Sequence, residues 1–150
     1  MEKVNIKVDL SITTHDAVTE HPFVNISLNG FPKFSKICEQ DTLVEIEVEI
    51  EDDTENFLTI EYNNKDAKQD VVLGEDGLPV NDKRIEIHSI TFDDIELDFF
   101  QLNDEETFNY KSIDPQGEDS TGFDATKLSW NGRTTLKFTT PIYIWLLENL

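Results

Sequence analysis

Seven Asp and Asn side chains, able to present oxygen to a hard cation, crowd one connection: Asn63, Asn64, Asp66, Asp70, Asp76, Asn81 and Asp82. Calcium takes about six to eight oxygens from carboxylates, amides, backbone carbonyls and water. Asn64, Asp66, Asp70, Asn81 and Asp82 could supply such a shell if the two ends of the connection meet. The EF-hand spacing is absent, so the signal is one of composition. The alternative is an Asx-rich loop whose side chains satisfy their own backbone. A second chemistry rests on aromatic rings, which stack on the apolar faces of sugars. Tyr62, Tyr110, Trp130 and Tyr143 are the rings available for it, with core or rim packing as the competing use.

The elements around that connection read as strands. Leu58, Ile60 and Tyr62 alternate with polar residues before it. Ile85 and Ile87, then Ile90, Phe92 and Ile95, follow it. A period of two is the signature of a half-buried strand. Val4 to Ile12 alternates in the same way, and Phe23–Leu28 makes a further strand closed by the turn pair Asn29-Gly30. Residues 31–40 lack alternation and are expected to be irregular, with Phe31 and Phe34 packing under the sheet.

The cleanest alternation runs from Thr42 to Glu51. Val44, Ile46, Val48 and Ile50 are expected inside, and Glu45, Glu47, Glu49 and Glu51 outside. Same-face side chains of a strand repeat every ~6.8 Å, so the four carboxylates form a ladder. Such a row is either simply solvated or meets a basic partner, and it also discourages edge-to-edge aggregation.

Residues 98–130 form the least regular part, an insertion rich in Asp, Glu, Ser and Thr. Its aromatics argue that it is packed down. The last stretch, after Pro141, is expected to be a strand or a strand plus a turn. Its apolar residues Ile142, Ile144, Trp145 and Leu147 are the assembly or packing element of the chain, or else an ordinary core strand. Short strands at regular spacing, joined by turn pairs, indicate an all-β single domain over residues 1–150: an antiparallel β-sandwich, jelly-roll-like.

Charge narrows the partners. Thirty-two acidic residues face 12 basic ones, for a net charge of -20, which repels nucleic acid and anionic membranes. An acidic inhibitor or DNA mimic is one reading of that excess. The single cysteine, Cys38, excludes an internal disulfide and reads as a small buried residue. The first residues alternate and carry no apolar signal core, so secretion by a signal peptide is not expected. No Walker loop, G-x-G-x-x-G, H-E-x-x-H or G-x-S-x-G is present, and no two carboxylates stand out as a catalytic pair. The chain is therefore expected to be non-enzymatic. No cofactor motif is present either, and calcium is the one cofactor the composition suggests.

The runs Glu61–Asp66 (EYNNKD), Asp70–Val72, Asp76-Gly77, Val80–Lys83 (VNDK) and Ile85–Leu97 (IEIHSITFDDIEL) together resemble a segment recurrent in uncharacterised proteins of marine tailed phages, notably cyanophages. Trp130–Gly132 with Leu136–Leu150 looks like the closing motif of the same family. The resemblance covers the C-terminal two thirds of the chain. It implies a virion or virion-associated protein, made in the host cytoplasm, whose partners are other virion proteins or copies of itself. More loosely, the central stretch is similar to calcium-dependent carbohydrate-binding β-sandwich modules, which carry an Asp/Asn loop before a strand of the I-x-I-x-x-I kind. That likeness implies adhesion to a polysaccharide.

Overall fold

A computed structural model of the chain describes residues 1–14, 20–65, 71–77, 79–102, 104, 106–113, 125–128 and 131–149. Two antiparallel sheets pack face to face. The first holds β1 (Glu2–Thr13), β4 (Thr42–Ile50), β8 (Arg84–Phe92), β9 (Ile95–Glu96) and β11 (Lys127–Leu128). Its order is β11-β8-β1-β4, and β9 shares with β11 the side of β8 that faces away from β1. The second holds β2 (Phe23–Leu28), β3 (Phe31–Ile37), β5 (Glu55–Tyr62), β10 (Phe108–Ser112) and β12 (Gly132–Thr139), in the order β10-β12-β5-β2-β3. A hairpin of β6 (Val71–Leu73) and β7 (Pro79–Asp82) stands apart, and α1 (Ile142–Glu148) follows β12.

Alternation dictates what is buried. Val4, Ile6 and Val8 of β1 pair with Val48, Ile46 and Val44 of β4 in an unbroken antiparallel register, and Leu10 and Ile50 extend the same buried face at its two ends. Across the sandwich lie Val24, Ile26 and Leu28, then Leu58 and Ile60, then Leu136 and Phe138. Each such side chain contributes roughly 1.5–3 kcal/mol when removed from water. The glutamates of β4 face out as expected.

β8 changes phase once. Asp9 pairs with Ser89 and Leu10 with Ile87, which leaves His88 as an extra residue in a bulge. The bulge is why Ile87 and Ile90, three apart, both point inward.

Two expectations are corrected. Residues 31–37 form a strand, and Phe31 is exposed rather than tucked under a sheet; only Phe34 packs against the core. The region reads as irregular because it is a sheet edge, exposed along its length, with its own bulge at Lys33. The final segment is a helix. Pro141 stands at its N-cap with no side-chain cap of its own, and Glu2 of β1 supplies the missing acceptor. Both Glu2 carboxylate oxygens accept from the Ile142 amide, at 2.8 and 3.0 Å, in a position that suits the positive end of the helix.

Candidate functional site

The far end of the sandwich from α1 gathers the connection singled out by its oxygens. β5 ends there at Tyr62 beside Gly132 of β12, and Thr13 ends β1 beside Arg84. Asn64 and Asn131 tie the strand ends together through their amides. Asn64 Oδ1 accepts from the Phe23 amide at 2.9 Å, and its Nδ2 donates to the His21 carbonyl at 3.0 Å. Asn131 Oδ1 accepts from the Lys65 amide at 2.8 Å, and its Nδ2 donates to the Lys65 carbonyl at 3.1 Å. Each amide continues a strand ladder where no strand is present, the use that polar groups at buried backbone require.

Beneath these amides the chain buries a cation of its own. Lys83 is fully buried, and its Nζ donates to the Asn64 carbonyl at 2.8 Å. Its ammonium lies 5.9 Å from the centre of the Tyr62 ring, and the Tyr62 hydroxyl donates to the Lys83 carbonyl at 3.1 Å. Lys65 is buried as well. Charged side chains are almost never buried without partners, and these two lysines lie at the two ends of the acidic connection. Lys83 shares the inward parity of Ile85 and Ile87, which is the one sequence signal that could have revealed it. Nothing comparable marks Lys65.

Of the five residues suggested as calcium ligands, Asn64 has both polar atoms of its side chain engaged with backbone. Asn81 and Asp82 are in β7, paired to Val72 and Val71, while their side chains lie outside the described residues, as do Asp66 and Asp70. Within the β6–β7 turn, the Gly77 amide donates to the Gly74 carbonyl and Gly77 adopts a positive φ of 79°, a conformation that glycine takes without strain. Among the described residues, no group of three His, Cys, Asp or Glu side chains is placed to hold a metal ion.

The rings suggested for sugar stacking divide. Tyr62 and Tyr110 are core residues. Tyr110 lies over Gly132, where any Cβ would collide with its phenol, and burial pushes that phenol's pKa up. Trp130 lies outside the described residues. Tyr143 is half exposed on α1.

The four apolar residues of the last segment also divide. Ile142 and Trp145 are buried, Trp145 edge-on to Phe92 at 5.8 Å and to Phe138 at 6.1 Å between ring centres. Ile144 and Leu147 face solvent together with Tyr143, and Leu147 is 75% exposed. A helix seven residues long thus anchors with one face and displays the other.

The glutamate ladder of β4 is partly neutralised from its own sheet. Lys3 of β1 forms a salt bridge with Glu47, which raises the lysine's pKa. Cys38 is buried, and desolvation raises its thiol pKa. Among the described residues, no helix is long and apolar enough to cross a membrane.

These features define the chain as an all-β sandwich with a buried-lysine loop base and an apolar helical face. No family model, curated protein or solved structure matches it.

Proposed function

We propose that the protein is a non-enzymatic structural or accessory component of a phage virion, which docks on a neighbouring virion protein of the capsid or tail. The observation that carries this reading is the outward triad Tyr143, Ile144 and Leu147 on α1. These apolar side chains are held in place by Ile142, Trp145 and Leu146 beneath them, and a rigid apolar patch is the usual core of a protein–protein contact. Read as resembling segments of marine phage proteins, Ile85–Leu97 and Leu136–Leu150 are what point the proposal to a phage particle.

Quantitative mass spectrometry of purified particles tests the reading. The chain is expected at a copy number matching a capsid or tail symmetry. Its absence from particles that are otherwise complete overturns the assignment.

A further inference from the structure

The two sheets differ in width. The second is five strands across, whereas the first is four across at its widest, because β9 and β11 share one side of β8. The shortfall falls at the β3 edge. In the β2–β3 register, the buried residues Ile26 and Leu28 pair with Phe34 and Phe31, so those two rings take the inward parity of β3. Phe31 is nonetheless 69% exposed, and every residue of β3 except Phe34 is exposed. Among the described residues, no strand of the first sheet extends past β4 to cover β3. The space left is a cleft of about 690 Å³ between β3 and the open edge of β4, lined by Phe31, Lys33, Glu47, Glu49, Glu51 and Glu55 among others.

We propose that this cleft receives an extended basic segment of a partner protein, which pairs with β4 as the missing strand. An added strand takes its affinity from the unpaired backbone groups of an edge and its specificity from alternate side chains. Here one face of the guest covers Phe31 and Phe34, which calls for apolar residues. The other face continues the outer surface of β4 beside Glu45, Glu47 and Glu49, where opposite charges pair favourably across strands and like charges do not. From the β1 side Lys3 bridges Glu47 and stands opposite Glu49, while Lys7 stands opposite Glu45 but reaches to Asp94, so the row is only partly countered and its remaining charge faces the guest. The guest is therefore an alternating apolar and Lys/Arg segment. A second copy of this chain is disfavoured by its net charge of -20. The same ladder that admits a basic strand repels acidic ones and offers neutral ones no charge pairing, which gives the edge selectivity.

The test uses the purified full chain and needs no particle, so its outcome is independent of the virion reading. A nine-residue peptide alternating lysine and valine is titrated by NMR and fluorescence anisotropy, beside its glutamate–valine counterpart. The lysine peptide is expected to bind, to perturb and protect amides of β4, and to weaken as salt rises. Glu45→Lys with Glu49→Lys, and separately Phe31→Asp, should each weaken it by about ten-fold or more at unchanged folding midpoint. The proposal is overturned by any of four results: no binding, equal binding of the glutamate peptide, perturbation away from the cleft, or a self-dimer dissolved by Phe31→Asp.

Discussion

The ammonium of Lys83 and the carbonyl of Asn64 meet at 2.8 Å in the interior, 19 residues apart in sequence, and join the two ends of the acidic connection from β5 to β8. A hydrogen bond to a charged group contributes about 1.5–3 kcal/mol, and more is lost when the remaining partner stays buried and unsatisfied. Lys83→Met keeps the stem and removes the donor. It is expected to lower stability by that amount in urea unfolding; an unchanged midpoint would mean the contact is dispensable.

The same contact bears on calcium. A fixed positive charge at the Asn64 oxygen opposes a divalent cation there, and the side chain of Asn64 is already spent on Phe23 and His21. The thermal midpoint should therefore be the same in millimolar calcium and in EDTA. Any ligand bound only by the folded state must raise it, so a clear rise with calcium would return the metal to this loop.

Gly132 and Tyr110 form a tight pair. Gly132→Ala drives the new methyl into the phenol, and overpacking of this kind costs about 1–3 kcal/mol. Tyr110→Ala in the same chain removes the obstacle, so the double variant should be more stable than the sum of the two single losses. Strict additivity in chemical denaturation would contradict the packing described.

Stability should fall in alkaline solution. Burial raises the pKa of both the Cys38 thiol and the Tyr110 phenol. As pH climbs past the ordinary thiol value, about 8.5, the unfolded chain gives up protons that the folded chain keeps, so unfolding becomes easier. The contribution is fully present below the ordinary value and is lost as pH rises through the folded one. Cys38→Ala should flatten the first part of this decline in a pH series of melting curves. Rapid modification of folded Cys38 by iodoacetamide at neutral pH would count against a buried, protonated thiol.

Helix α1 separates packing from display. Trp145→Ala removes a ring lodged against Phe92 and Phe138 and should cost about 3–5 kcal/mol. Leu147→Ser, on the exposed face, should stay within about 0.5 kcal/mol, yet reduce incorporation into particles. If both variants assemble normally while Trp145→Ala alone unfolds easily, the helix is a lid on the core and nothing more.

Alternation made β1, β2, β4, β5 and β8 legible, because each has one dry face and one wet one. β3 was not legible, since a strand exposed on both faces imposes no pattern on its sequence. The Ile142–Leu147 run is apolar at nearly every position, and periodicity alone does not tell a short buried strand from a short helix. One contact that favours the helix lies 140 residues away, in the carboxylate of Glu2. The oxygens of the central connection were visible; the buried lysines at its ends were signalled only by the inward parity of Lys83, because a buried ammonium is specified by the carbonyl it meets in space. Ile144 and Leu147 were named together with Ile142 and Trp145, and only the helical geometry sorts them into exposed and interior pairs.

The bulge at His88 leaves β8 with one surplus position. Were His88 excised, Ile85, Ile87, Ile90 and Phe92 would fall into an unbroken two-residue rhythm and all would still reach the interior. Excising Ser89 would have the same effect, with His88 taking its place opposite Asp9, whereas trimming a residue elsewhere in the strand would send part of that apolar set to water. The sandwich thus carries a built-in place where its length can change by one without its inside becoming its outside.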